Sequence, residues 1–347
     1  MTGQQLKNSI LQMAVQGKLV PQDPNDEPAS VLLERIRKEK EQLIKDGKIK
    51  KEKNPSYIFR GADNLPYEKV GNNEPVCIAD EVPFDIPDSW EWVRLGSIGD
   101  WGSGATPSRT NTEYYGGDIP WLKTGDLNDG YIKHIPESIS HRALEKTSVR
   151  LNETGSVLIA MYGATIGKVG ILTFPATTNQ ACCACLPIGI YNEYLFYFLM
   201  SQKSAFVKRG EGGAQPNISK EKIISTLMPL PSLTEQYRIV AKIKKVLPLV
   251  EQYEIAYSEV NSLNNSFPEL LKKSILQEAV QGKLVPQDPN DESASVLLER
   301  IRAEKQALIK AGKIKKDKNE SVIFRRDNSH YEKLNGIERC IDDEIPF

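Results

Sequence analysis

LKNSILQMAVQGKLVPQDPNDEPASVLLERIRKEKEQLIKDGKIKKEKNPSYIFR, residues 6–60, returns as LKKSILQEAVQGKLVPQDPNDESASVLLERIRAEKQALIKAGKIKKDKNESVIFR, residues 271–325. Of the 55 aligned positions, 45 are identical. A looser echo follows each copy, YEKVGNNEPVCIADEVPF at 67–84 and YEKLNGIERCIDDEIPF at 331–347. Repeats tiled end to end build a solenoid. Here two copies, 265 residues apart, bracket a different sequence. The chain therefore reads as one insert between two copies of a joint.

Within the first copy, Leu6, Ile10, Leu11 and Ala14, with Val15 beside them, have the spacing of an amphipathic helix over 4–16. Gly17 stands where a C-terminal glycine cap belongs, and Pro21 follows as a stop. PQDPND (21–26) is turn chemistry, and a second helix is expected from Ala29 or Ser30 to Asp46-Gly47. Arg35 to Lys53 holds nine Lys/Arg against four Asp/Glu. That excess suits either a solvated helix with a basic linker or a phosphate-backbone contact. Residues 54–84, rich in Pro, Gly, Asn and acids, read as a connector.

From Ile86 to about Leu233 the chain changes to short β-like runs punctuated by glycine. WEWVRL (90–95) alternates, and SVLIAMYGA (156–164), KVGILTF (168–174) and QACCACLP (180–187) read as strands. Tyr191 to Val207 reads as one aromatic-rich helix. Roughly 145 residues of mixed elements suffice for one core, so the fold class is α/β, an irregular domain. After Pro229-Leu230-Pro231, with Thr234 as a cap, Ile239, Ile243, Val246, Val250, Tyr253, Tyr257, Val260, Asn264, Phe267 and Leu271 alternate at spacings of four and three. That heptad seam implies a long helix, about 50 Å from Thr234 to Phe267, packed along another helix or on its own domain. Pro248 and Pro268 are expected to kink or break it.

Composition restricts the function. The 347 residues carry a net charge of −1, so any nucleic-acid surface is a local patch. Hydrophobic content is 39% and mean hydropathy −0.42, values that suit solvent-washed helices beside a core. No 18-residue apolar run or signal-peptide core occurs, and five cysteines make no disulfide framework, so a cytoplasmic protein is expected. YGATIGKV (162–169) resembles a phosphate loop but lacks one residue between its glycines. Val169 also stands where Ser or Thr should hold magnesium, so a tight strand-turn-strand is the ordinary reading. Cys182, Cys183 and Cys185 have no metal-site spacing and suit a core strand; His134 and His141 read as surface or loop residues. No catalytic signature is found. What remains is a recognition surface. GSGATPSR (102–109) permits close backbone approach, and WLKTGDL (121–127) sets an aromatic and a lysine by a turn. Asn179-Gln180 and Gln215-Pro216-Asn217 supply carboxamides that can pair bidentately with adenine.

GATPSRTNTEYYGGDIPWLKTGDLNDGYI (104–132), GSVLIAMYGATIGKVGIL (155–172), TTNQACCACLP (177–187), GGAQPNISKEKIISTLMPLPSLTEQYRIVAKI (212–243) and LKKSILQEAVQGKLVPQDPNDESASVLLERIRAEK (271–305) resemble the specificity subunits of type I restriction–modification complexes. The resemblance covers nearly the whole chain. It implies a non-catalytic DNA-reading subunit in which each target recognition domain reads one half of a split site. It further implies paired spacer helices that set the gap, docked adenine methyltransferase subunits, and restriction subunits that join through them. S-adenosylmethionine, ATP and magnesium would belong to those partners, with no cofactor or metal here. The expected layout is an N-terminal helix (1–20), a repeated helical and basic linker (21–84), a target recognition domain (85–232), a coiled-coil spacer helix (233–283) and a second linker (284–347). With one recognition domain, the chain reads as a half-length form pairing through its seam as a homodimer. The alternative is an inactive truncated subunit serving as an interaction protein or a recombination reservoir. The expected DNA contacts are Arg109, Lys123, Tyr162, Lys168, Gln180, Gln215 and Asn217, with cations on phosphates and carboxamides on base edges.

Overall fold

The computed structural model describes residues 1–52, 54–210, 216–317 and 321–345. The chain divides into unit 1, Met1–Tyr257, and unit 2, Ser258–Phe347. Unit 1 opens with helices α1 (Gly3–Val15) and α2 (Ala29–Lys45), then strands β1 (Ser56–Arg60), β2 (Pro66–Val70) and β3 (Val76–Cys77). Strands β4 (Glu91–Arg94), β5 (Gly99–Ser103), β6 (Tyr115–Leu122), β7 (Gly130–Ile132) and β8 (Ser138–Ile139) precede a short helix α3 (His141–Lys146). Then come β9 (Leu151–Asn152), β10 (Val157–Ala160), β11 (Val169–Leu172), β12 (Ala176–Thr178) and β13 (Cys182–Pro187). Helices α4 (Asn192–Ser201), α5 (Lys203–Arg209) and α6 (Lys220–Ile224) and strand β14 (Leu227–Leu230) lead into helix α7 (Leu233–Val280), which contains the boundary between the units.

The centre of unit 1 is a five-stranded sheet ordered β5-β13-β10-β11-β7, beside a four-stranded sheet ordered β8-β6-β12-β9. Strands β10, β11 and β13 are buried on both faces, which explains their continuous apolar runs. The α/β class read from the sequence is what the chain forms. Cys182, Cys183 and Cys185 lie fully inside β13, and burial pushes all three thiols up. YGATIGKV forms the turn between β10 and β11, closed by the Gly167 N–H on the Ala160 carbonyl at 3.0 Å.

The first copy of the repeat docks on this core. Leu11, Ala14 and Val15 of α1 and Leu32, Leu33 and Ile36 of α2 are buried in one apolar cluster with Trp90, Leu195, Leu199, Ile239 and Ile243. Gly17 has a φ of +71°, the left-handed cap expected after α1, and a Cβ there would meet Pro87 at 2.6 Å. Polar contacts fix the position of the joint. Asp26 accepts from both Arg238 guanidinium nitrogens, at 3.0 and 2.5 Å, and from the Thr234 hydroxyl at 2.7 Å. The buried Glu235 carboxylate accepts from the Trp90 indole at 2.8 Å and the Gln22 amide at 2.5 Å, while burial raises its pKa. The Ser232 hydroxyl, and not Thr234, caps α7 by accepting from the Glu235 N–H at 3.1 Å.

The structure refines several further expectations. Residues 54–84 form a three-stranded sheet, β1-β2-β3, in addition to loops. Ile58 and Ile78 of this region pack on Trp92, and Arg94 binds Glu68 at 2.6 Å and Glu81 at 2.9 Å. The expected helix over 191–207 is two helices that meet at Gln202. His141 is exposed, in keeping with its reading as a surface or loop residue; it begins α3 and pairs with Asp118 at 3.3 Å. Of the kink or break expected at Pro248 and Pro268, no break occurs, since helix α7 runs through both. A proline there frees the carbonyl four residues back, at Lys244 and Asn264; both residues are exposed, so water can satisfy it.

The seam on α7 is divided. Ile239, Ile243 and Val250 are buried and Val246 is half-buried, so these positions belong to the core of unit 1 and are not open to another chain. The N-terminus of α1 lies alongside α7, where the Tyr253 hydroxyl donates to the Met1 carbonyl at 2.7 Å and Gly3 N–H donates to Glu254. Tyr253, Val260, Asn264, Phe267 and Leu271 are exposed and Tyr257 is half-buried.

Unit 2 holds the rest of α7, helix α8 (Ala294–Lys310) and a sheet of β15 (Ser321–Arg326), β16 (Ser329–Leu334) and β17 (Ile337–Cys340). Its elements repeat α2 and β1–β3 in order. Among the described residues, Ile341 is its one buried hydrophobic side chain. No helix among the described residues is long and apolar enough to cross a membrane.

Candidate nucleic-acid interface

Six of the seven residues expected to contact DNA gather at one end of the β10–β13 pair, and Gln215 lies outside the described residues. The register sets Ala160 opposite Cys182, and Met161 N–H donates to the Ala181 carbonyl at 2.8 Å. Tyr162 and Gln180 therefore leave the ladder side by side. Tyr162 also bridges Asn217 in antiparallel fashion, with Gly163 N–H on the Pro216 carbonyl at 2.8 Å. Lys168 closes the same β10–β11 turn, its carbonyl accepting from Ala160 N–H at 2.9 Å. Tyr162, Gln180 and Asn217 are exposed and Lys168 is half-buried.

Arg109 and Lys123 join this end through β6 and the small-residue loop. Asn179 N–H donates to the Leu122 carbonyl at 2.9 Å, which ties Lys123 beside Gln180. Gly104 passes so close to β12 that a Cβ would lie 2.2 Å from the Thr178 carbonyl oxygen, so the loop tolerates no side chain there. Thr106 hydroxyl bonds the Gln180 amide oxygen, the Trp121 indole donates to the Ala105 carbonyl at 3.1 Å, and the Tyr115 hydroxyl donates to the Pro107 carbonyl at 2.6 Å. The Arg109 guanidinium then lies 4.6 Å from the Tyr115 ring centroid and 5.3 Å from that of Trp121.

Two contributors were missed in the sequence. Tyr115 orients Arg109, and Glu137 pairs with both cations: Arg109 at 3.4 Å and Lys123 in a short ion pair. The Lys123 ammonium, with Arg109, holds the Glu137 carboxyl below its ordinary range. No local pattern marks Glu137, because the pairing of β6 with β8 brings it to Lys123. Chemically the surface offers cations on aromatic supports, two exposed carboxamides and an exposed tyrosine, a set suited to phosphates and base edges.

Comparison with known proteins gives this surface a context. The Methylase_S family, described as a type I restriction modification DNA specificity domain, matches residues 87–256. The type I restriction enzyme EcoAI specificity subunit of Escherichia coli is 32% identical over 361 residues, covering 90% of this chain and 57% of that protein. The EcoEI specificity subunit of Escherichia coli is 30% identical over 368 residues, with the same coverage of 90% and 57%. The chain thus spans little more than half the length of these curated relatives. Among solved structures, the HsdS subunit from Thermoanaerobacter tengcongensis shares 25% identity at a TM-score of 0.40, over 58% of this chain and 47% of that one. Unit 1 thus carries a type I restriction modification DNA specificity domain, and over nine-tenths of its length the chain is similar to the specificity subunits of type I restriction enzymes.

Proposed function

We propose that this chain is the non-catalytic, sequence-reading subunit of a type I restriction–modification complex. Its specificity domain binds one half of a split site on double-stranded DNA. Adenine methyltransferase subunits dock on it, and restriction subunits join through them. The observation that carries the reading is that the matched specificity domain holds Arg109, Lys123, Tyr162, Lys168, Gln180 and Asn217 at one end of its central sheet.

Two copies associate through the exposed part of α7. Val260, Leu263, Phe267, Leu270 and Leu271 there leave a run of large apolar side chains in solvent, which a helix of a second copy would cover. Asn264 on the same seam would set the register of that pair. Light scattering on the chain, alone and with its methyltransferase subunit, together with duplex binding and methylome sequencing of a host carrying both, tests the reading. Two copies per complex and one methylated split sequence are expected. A monomer in both preparations with no sequence-selective binding breaks it.

The near-identity of the two repeat copies supports a second reading, an inactive subunit whose duplicated sequence serves recombination between recognition domains. Site-specific methylation from this chain and its methyltransferase subunit alone would eliminate it.

A further inference from the structure

Arg109 and Lys123 are placed for phosphate contact, yet both are already occupied by one carboxylate. Glu137 Oε2 lies 3.4 Å from the Arg109 guanidinium, and Glu137 Oε1 forms the short pair with the Lys123 ammonium. Both cations are more than a third exposed, so such pairs contribute little to folding stability. Nor does Glu137 alone position them. Arg109 also rests on Tyr115 and Trp121, and the Lys123 backbone N–H donates to Asp126 at 2.8 Å. Glu137 meets β6 through its backbone, its carbonyl accepting from Trp121 N–H at 2.9 Å. A side chain that is dispensable for placement still determines how free the two positive charges are.

We propose that Glu137 is a specificity-determining carboxylate: it holds Arg109 and Lys123 until a phosphate of a correctly seated duplex takes its place. This rests on reading the face as the DNA-contacting one. On random sequence, the only gain from binding here is electrostatic, and it is offset by breaking two ion pairs and bringing phosphates toward a carboxylate. On the cognate sequence, base-edge contacts of the neighbouring carboxamides add to the gain and the exchange goes forward. An equal cost in both modes would leave their ratio unchanged; the ratio widens because only the cognate fit, fixed by base-edge contacts, seats the phosphates closely enough for both cations to exchange Glu137 fully for phosphate.

The test compares wild type with Glu137→Gln in the complex with methyltransferase subunits. A random-sequence duplex and the duplex identified by methylome sequencing are titrated across a range of NaCl. For the random duplex, affinity is expected to rise about three- to tenfold and the salt slope to steepen by about one phosphate contact. The cognate duplex should gain less, so that discrimination falls. Asp118→Asn, which removes an acid of the neighbouring strand β6 that pairs with His141 rather than with either cation, should have no such effect; an equal gain there would reduce the effect to bulk charge and overturn the proposal. Unchanged random-sequence affinity, or weakened cognate binding, would also overturn it, the latter by making Glu137 a base reader. If wild type binds neither duplex, the DNA reading itself fails. If wild type binds and Glu137→Gln changes nothing, only the role of Glu137 is lost.

Discussion

Nine apolar residues common to the two repeat copies lead two different lives in this molecule. In the first copy of the repeat, Ile10, Leu11, Ala14, Val15, Ala29, Leu32, Leu33, Ile36 and Ile58 are buried. Their counterparts Ile275, Leu276, Ala279, Val280, Ala294, Leu297, Leu298, Ile301 and Ile323 are identical, and every one is exposed. Leu32 has no exposed surface, whereas Leu297 keeps 40%. The polar contacts diverge as well: Glu68 of the first copy binds Arg94 of the specificity domain, but the corresponding Glu332 binds Arg339 of its own sheet. Local structure is common to both, since α2 and α8 each run 17 residues. Propensity and pattern therefore form the helices, while burial depends on the surface they meet. The repeat is one half of an interface, and Trp90, Glu235 and Arg238 are part of the other half.

The largest break in this comparison should come from Leu32→Ala set against Leu297→Ala. Truncating a fully buried leucine costs about 3 kcal/mol, whereas an exposed one shifts stability by less than about 0.5. All four tryptophans, Trp90, Trp92, Trp101 and Trp121, lie in unit 1, so their fluorescence during urea unfolding reports that unit. Equal midpoints for the two variants would mean that α2 does not hold unit 1 together as its burial requires.

Asp26→Asn against Asp291→Asn should separate the copies by a smaller amount. Asp26 is bonded to both Arg238 nitrogens and its pKa is lowered, chiefly by that hydrogen bond. A depressed carboxylate contributes stability above its unfolded pKa and loses it as pH falls through the folded value. Asp26→Asn should therefore cost about 1–2 kcal/mol near neutrality, with the difference from wild type shrinking below about pH 4. Asp291→Asn should leave unit 1 unchanged throughout. A difference that persists undiminished in acid would show that the charge on Asp26 is not what anchors the joint.

Much of this was legible in the sequence because it is local. The 3.6-residue spacing from Leu6 to Val15 and the glycine at 17 placed α1, and the apolar runs placed β10, β11 and β13. What escaped depends on distant partners. SYIFR and PYEKV form strands only as they pair, with Phe59 opposite Tyr67, and pack on Trp92, so their short, turn-rich neighbourhood read as a connector. The seam on α7 was visible as a period, but which of its residues face the chain's own core was not; that depends on where α1, α2 and α4 lie. At the candidate interface, the turn residues were legible because strand ends carry glycines and carboxamides. Glu137 was not, since it reaches Lys123 only through the β6–β8 pairing.

The smallest expected effect gives the sharpest form of the comparison. Of the ten positions that differ between the copies, nine are exposed in the first, and the tenth exchanges Glu52 for the equally acidic Asp317. Substituting Lys38→Ala, Gln42→Ala and Asp46→Ala together gives α2 the residues of α8 at three of them. The hydrogen bond from the Gln42 amide to Asp46 at 2.7 Å is lost, at a cost of a few tenths of a kcal/mol. Against that, alanine raises helix propensity at positions 38 and 42, and removing a negative charge from the C-terminal end of α2 relieves its repulsion by the helix dipole. The contributions nearly cancel, so the urea midpoint should move by no more than about 0.5 kcal/mol, in the stabilising direction if at all. A loss above about 1.5 kcal/mol would place these positions in the docking contact after all. The two copies would then no longer carry the same face, and the exposure of the second would reflect its own sequence rather than a missing partner surface.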